Sequence, residues 1–176
     1  QKEWFVMETQ QKLLKNETNR QMARILITGG SGFIGSNLVR YFHDKKHDVL
    51  NYDINKPIDV LYYNKWVEGD ILDSSNLLSK LPENSTVVNF AAESHVDRSI
   101  ESSAAFVETN TTGVQVMLDA MKKVGGKKRF LQVSTDEVYG SIESGSWHED
   151  FLLQPNSPYS ASKAGGEHLV RAFHKT

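Results

Sequence analysis

The stretch "TGGSGFIG", Thr28 to Gly35, restricts the fold more than any other part of the chain. It lies between a short β-branched run, "RILIT" (24–28), and "FIGSNLVRYFHD" (33–44), where Ile34, Leu38, Val39 and Phe42 recur at helical spacing. A strand that turns through closely spaced glycines straight into a helix leaves few architectures. The glycines fit two overlapping patterns, Gly30-x-Gly32-x-x-Gly35 and Gly29-x-x-Gly32-x-x-Gly35. In a phosphate-binding turn, one glycine permits the sharp bend and another lets a pyrophosphate approach backbone N–H groups. A third lets helix and strand pack closely, and the helix N-terminus faces the anion.

A glycine triplet alone is weak, but its context adds to it. The second strand, "DVLNYD" (48–53), ends in Asp53, where a carboxylate binds the adenosine ribose hydroxyls of a dinucleotide. The same charge repels a 2′-phosphate, so NAD is favoured over NADP, with Lys56 leaving a small opening for the latter. Asp70 follows a third strand in "KWVEGD" (65–70) and has two open roles, a contact with the adenine edge or a cap for the next helix.

The alternation then continues. "SSNLLSKL" (74–81) reads as a short helix with Ser74 as N-cap, and "TVVNFAA" (86–92) as a fourth strand. Val107, Thr111, Val114, Leu118 and Met121 predict one long helix from Ser103 to about Val124, stopped by Gly125 and Gly126. "KRFLQVS" (128–134) is a fifth strand, and "SPYSASKAGGEHLVRAFHK" (157–175) a last helix. Strands alternating with helices predict an α/β fold, a Rossmann-type doubly wound parallel sheet over residues 23–176 behind a polar extension at 1–22. Gly165 and Gly166 lie inside the last helix, where each costs about 1 kcal/mol relative to alanine. A close helix crossing and a soft helix end both account for them.

Composition removes several function classes. Lys plus Arg is 20 against 22 Asp plus Glu, a net charge of −2, so no basic surface invites nucleic acid or an anionic membrane. There is no cysteine, hence no disulfide and no thiolate chemistry. His43 and His47 have a metal-like i, i+4 spacing but lie in "YFHDKKHD", a solvated helix end, and no metal site is expected. Neither a signal-peptide core nor a membrane-length apolar run occurs, and a cytoplasmic protein is expected.

Two constellations carry chemistry. "STDEVYG" (134–140) places Thr135, Asp136 and Glu137 in a row behind the fifth strand. Adjacent carboxyls at a strand end are either a solvated loop or a pair aimed at a substrate. "SPYSASKAGG" puts Tyr159 and Lys163 on one face of the last helix. A nearby ammonium and the cation of oxidised nicotinamide would lower the phenol from its ordinary pKa of about 10 and make Tyr159 a general base. Lys163 could also donate to the nicotinamide ribose.

The segments "ITGGSGFIGSNLV", "NFAAESHVDRSI", "FVETNTTG", "VSTDEVYGS" and "PNSPYSASKAGGEHLVRAF" resemble the extended short-chain dehydrogenase/reductase superfamily, most of all its dTDP-glucose 4,6-dehydratases. The resemblance covers about residue 23 to the end. It implies that Thr135 holds the sugar, Asp136 is the general acid, Glu137 the general base, and Tyr159 with Lys163 the oxidising pair. It further implies NAD contacts from Gly29, Gly32, Phe33, Ile34, Gly35, Asp53, Asp70, Ile71, Ala91, Ala92, Ser94 and Thr109. Ser94 and His95 would join Thr135 at the substrate, dTDP-glucose, in a homodimer built on the helices at 103–124 and 158–176. Two departures stand out. "INKPIDVLYYNKWVEG" after Asp53 is shorter than the family's segment, and family members continue beyond residue 176 into a substrate domain absent here. A nucleotide-sugar 4-epimerase and a non-catalytic NAD-binding module are the other readings.

Overall fold

The computed structural model describes residues 22–176; the extension expected at 1–22 lies, apart from Met22, outside the described residues. Five strands, β1 (Arg24–Thr28), β2 (Asp48–Asp53), β3 (Trp66–Glu68), β4 (Ser85–Asn89) and β5 (Arg129–Gln132), form one sheet in the order β3-β2-β1-β4-β5. Every pairing is parallel. The chain runs outward from β1 to β3, returns to β4, and leaves in the opposite direction. That reversal opens a crevice at the C-terminal end of β1, the place where doubly wound sheets bind ligands.

The helices among the described residues are α1 (Phe33–Asp44), α2 (Ser74–Lys80), α3 (Val96–Glu101), α4 (Ala104–Val107), α5 (Gly113–Val124) and α6 (Pro158–Lys175). β1 is buried on both faces, as a central parallel strand must be. Ile25 and Ile27 join Val39, Val49 and Val88 in the core beneath α1. Leu26 points the other way, to Tyr52, Leu77, Val87, Val114 and Met117 beneath α2 and α5. Between β2 and β3 the short segment noted in the sequence forms only a 3₁₀ turn, Val60–Lys65. It starts where the Leu61 N–H donates to Asp59 at 3.0 Å.

Four local expectations need correction. α2 is capped by Asp73, not Ser74: its carboxylate accepts from the N–H groups of Ser75 and Asn76 at 3.1 and 3.0 Å. Asp70 caps nothing and instead closes a tight turn onto the Leu72 N–H at 2.9 Å. β4 stops at Asn89, three residues early, which frees Phe90 onward to line the crevice. The predicted long helix is α4, a π-helical turn at Glu108–Thr112, and α5, with α3 split off before it at Ser102. The π turn inserts one residue per turn, so the 3.6-residue stripe changes phase across it. Phe106 is therefore buried and Val107, predicted for the core, is 49% exposed.

The two glycines of α6 mark a close crossing. A Cβ on Gly166 would fall 2.6 Å from the Asn110 carbonyl oxygen, and one on Gly165 would fall 3.0 Å from Thr111 Oγ1. The Thr111 hydroxyl donates to the Ser162 carbonyl across the same contact at 2.9 Å. α6 itself starts on a reciprocal cap between Ser157 and Ser160, with Pro158 at its first position.

Candidate active site

The crevice is a cleft of about 520 Å³ whose walls include Gly29, Gly32, Asp53, Asp70, Ala91 and Thr109. Ile71 and Ala92 also line it. Gly29 has φ +67°, and a Cβ there would sit 2.6 Å from the Ala91 N–H nitrogen, so only glycine allows β1 to turn this close to β4. A Cβ on Gly35 would meet the Gly29 carbonyl at 2.2 Å. At the start of α1, Phe33 and Ile34 are 91% and 62% exposed, and no side chain caps the helix. Their N–H groups are among those a helix leaves without internal partners, available to an anion.

Asp53 is 8% exposed and already ordered. It accepts from the Ser31 N–H at 2.9 Å and the Asn55 N–H at 2.8 Å, which ties the glycine turn to the end of β2. A carboxylate offers about four lone-pair sites, so room remains for a vicinal diol. The cleft, the bare helix end and this carboxylate fit a dinucleotide: a pyrophosphate against the glycine turn, a ribose against Asp53.

The catalytic candidates gather at the ends of β5 and α6. Thr135 starts a 3₁₀ turn, Asp136–Tyr139, by accepting from the Glu137 N–H at 3.3 Å. Asp136 and Glu137 are exposed on that turn. Tyr159 is held by its backbone N–H, which donates to Ser99 Oγ at 3.1 Å, and its ring meets Phe106 edge-on. Burial and then the Glu137 charge push the Tyr159 phenol above its ordinary value, Asp136 adds to this, and a hydrogen bond with Thr135 opposes it. The lowering expected from Lys163 is not what the chain alone shows. Lys163, 5% exposed, instead spends one N–H on the Val133 carbonyl at 2.6 Å. Burial pushes its own pKa down, with the Glu167 charge opposing.

The structure thus groups Thr135, Asp136, Glu137 and Tyr159, with Lys163 one turn deeper on α6. Neither Tyr159 nor Lys163 lines the 520 Å³ cleft. Ser94 and His95 stand exposed on the segment leading into α3, outside the cleft walls. Several participants escaped the sequence reading. Asn110, fully buried in the π turn, accepts from the Glu93 N–H and donates to the Glu93 carbonyl and to Ser162 Oγ, each at 2.9 Å. A polar residue four positions from both Phe106 and Val114 was its visible signal. Ser134 donates to the Glu167 carboxylate, tying the strand end to α6.

A family profile described as GDP-mannose 4,6 dehydratase matches residues 26–176. Low-salt glycan biosynthesis protein Agl12 of Haloferax volcanii is 44% identical over 167 residues, which are 86% of this chain and 52% of that protein. A dTDP-glucose 4,6-dehydratase of Streptomyces antibioticus is 46% identical over 167 residues, 86% of this chain and 49% of its own. The crystal structure of DesIV, the dTDP-glucose 4,6-dehydratase of Streptomyces venezuelae, with NAD and TYD bound, shares the fold. Its TM-score is 0.78 at 43% identity, covering 87% of this chain and 52% of that one. The chain spans about half the length of the curated relatives it matches. On the profile match and these likenesses, with the glycine turn and the Tyr159–Lys163 helix in place, the chain belongs to the GDP-mannose 4,6 dehydratase family, within the extended short-chain dehydrogenases/reductases.

Proposed function

We propose that this chain is the cofactor half, with most of the acid–base groups, of an NAD-dependent nucleotide-sugar 4,6-dehydratase acting on dTDP-glucose. One observation carries the reading: the 3₁₀ turn that bears Asp136 and Glu137 packs directly against α6, the helix of Tyr159 and Lys163. A 4-epimerase needs the tyrosine and lysine but no second acid and base, so this pair favours elimination. The likeness to dTDP-glucose 4,6-dehydratases supports the same choice.

In this reading the glycine turn and the N–H groups of Phe33 and Ile34 hold the pyrophosphate, and Asp53 holds the adenosine ribose. Asp70 and Ile71 meet the adenine, Ala91, Ala92 and Thr109 form the far wall, and Ser94 reaches the cofactor from the segment beyond that wall. Lys163 donates to the nicotinamide ribose. Bound NAD supplies the hydride acceptor for the sugar's C4 and the donor for C6. Tyr159 takes the proton of the 4-hydroxyl. Burial and the Glu137 charge raise its pKa in the chain alone, and the positive charge of bound oxidised NAD would oppose that rise. With C4 a ketone, the C5 proton is acidic and Glu137 removes it. Asp136 acts as the general acid toward the departing 6-hydroxyl, and water leaves. Thr135, with Ser94 and His95, positions the sugar. A homodimer and a cytoplasmic location belong to the same reading as expectations of the family resemblance.

The test uses a version lengthened to its relatives' full extent. Tyr159→Phe should lose every step, while Glu137→Gln should lose about 10²–10⁴-fold in water loss and far less in C4 oxidation. Equal loss of C5 solvent-deuterium exchange and of hydride transfer in both variants would remove Glu137 from this role.

A further inference from the structure

The last residues of three neighbouring strands are polar and stand in register: Thr28 on β1 is opposite Asn89 on β4, which is opposite Gln132 on β5. Thr28 and Asn89 are fully buried. Their side chains form an unbroken line across the sheet. The Ala91 N–H donates to Thr28 Oγ1 at 3.4 Å, and the Thr28 hydroxyl donates to Asn89 Oδ1. Asn89 Nδ2 donates to Gln132 Oε1 at 2.8 Å, and Gln132 Nε2 donates to the Val133 carbonyl at 3.2 Å. Lys163 Nζ donates to that same carbonyl at 2.6 Å.

The orientation of the line follows from its end. A carbonyl oxygen only accepts, so Gln132 must present Nε2 to Val133 and Oε1 to Asn89. Asn89 must then answer with Nδ2, and its Oδ1 takes the Thr28 hydroxyl proton. Every donor points toward Val133, an arrangement in which each bond polarises the next. The Val133 peptide is thereby fixed from both sides. Its N–H donates to the Asn89 carbonyl at 3.2 Å, and both lone pairs of its own carbonyl are occupied. The N–H makes the last ladder bond to β4, but the carbonyl lies beyond the last pairing of β5, where side chains alone hold it.

We infer that Gln132 is a positioning residue for Lys163: it aims the Val133 carbonyl that anchors the ammonium, and through Asn89 and Thr28 it links that anchor to Ala91 in the cleft wall. The part of this that concerns NAD rests on the function proposed above. Lys163 is nearly enclosed, so its ammonium goes where the one carbonyl partner holds it. Loss of the Gln132 amide frees that carbonyl to turn, and Lys163 turns with it.

The experiment compares NAD and ADP binding to the 176-residue chain by calorimetry, for the parent, Gln132→Met and Gln132→Glu. Glutamate keeps an acceptor for Asn89 and so guards against a variant that merely fails to fold. We expect NAD to weaken about 5- to 20-fold in both variants, part of one charge-assisted hydrogen bond, with ADP changed less than about twofold. Equal losses for NAD and ADP, or no loss for either beside a lower melting temperature, would make Gln132 a structural residue only and overturn the inference. A second readout needs no ligand. The Lys163 amine, followed by NMR of its side chain and identified with Lys163→Met, should titrate lower in Gln132→Met than in the parent. An unchanged titration overturns the inference. A parent chain that binds neither NAD nor ADP would sink the cofactor reading, and the titration would still decide the role of Gln132.

Discussion

The side-chain amide of Asn110 grips the whole Glu93 peptide, taking its N–H and giving to its carbonyl at 2.9 Å each. It thereby fixes the segment that follows β4 on the π turn that backs α6. Asn110→Ala would leave the part-buried N–H and carbonyl of Glu93 without a partner and take one donor from the Ser162 hydroxyl, which keeps its own bond to the Tyr159 carbonyl at 2.7 Å. We expect a loss of about 2–4 kcal/mol in urea unfolding, since each buried unsatisfied group costs about 1–3 kcal/mol. Asn110→Asp keeps the bond from the Glu93 N–H but sets a carboxylate against the Glu93 carbonyl, and it should be no better than alanine. Wild-type stability in either variant would refute this.

Asp53 has two jobs in one side chain, since it holds the Ser31 N–H of the glycine turn as well as facing the cleft. Asp53→Ala should therefore weaken NAD and, by removing the charge that repels a 2′-phosphate, narrow the preference for NAD over NADP by about 1–2 kcal/mol. Asp53→Asn, which keeps an acceptor for Ser31, should narrow the preference with a smaller loss of NAD affinity. Identical NAD and NADP isotherms for the unmodified chain would end the argument.

Lys163 gives the stability a pH dependence of known sign. Its folded pKa lies below the ordinary 10.5, so across that window the unfolded chain binds the extra proton and stability rises with pH. Tyr159 opposes it, because its raised pKa gives stability that is full below about pH 10 and lost as pH climbs through the folded value. The clean comparison is by difference. The stability of the parent minus that of Lys163→Met should increase as pH approaches 10.5, and the parent minus Tyr159→Phe should decrease above about pH 10. Parallel curves for parent and variants would contradict both signs.

The two glycines of α6 should respond differently to alanine. Gly166→Ala drives a Cβ to 2.6 Å from a backbone oxygen that cannot swing aside, and the crossing must open. We expect a net loss of about 1–3 kcal/mol despite the gain in helix propensity. At Gly165 the nearest atom belongs to the Thr111 side chain at 3.0 Å, which can give way. Gly165→Ala should be within about 0.5 kcal/mol of the parent, propensity offsetting a strained Thr111 bond. Thermal melts of the two variants decide it.

The sheet was legible because its signals are repetitive: apolar runs closed by glycine or acid, separated by helical spacing, around "TGGSGFIG". The π turn was not, because one inserted residue leaves no mark on composition, and Val107 and Phe106 are equally apolar choices for a stripe. Ser74 and Asp73 are neighbours of equal capping aptitude, and only the geometry separates them. The candidate site was visible as residue types at a spacing, Tyr159 with Lys163 and the row from Thr135. Its electrostatics were not. Helical spacing puts Lys163 under Tyr159 but says nothing of the Val133 carbonyl that claims the ammonium. The Thr28–Asn89–Gln132 line was readable only once the register was known, since each residue by itself is a polar end to an apolar strand.

The π turn makes the segment from Ala104 to Val124 sensitive to length rather than to lettering. Removing one residue between Glu108 and Thr112 would let the segment close as an ordinary helix, with Phe106 seven residues before Val114, about two turns away and still facing the core. What would go is the widened turn itself, and with it the grip of Asn110 on Glu93 and the place of Thr109 in the cleft wall. No single exchange of one side chain for another produces that change. Among natural variants of this chain, substitutions at the exposed Thr112 should accumulate freely while insertions and deletions across the turn are purged, a pattern that sequencing of close variants can score.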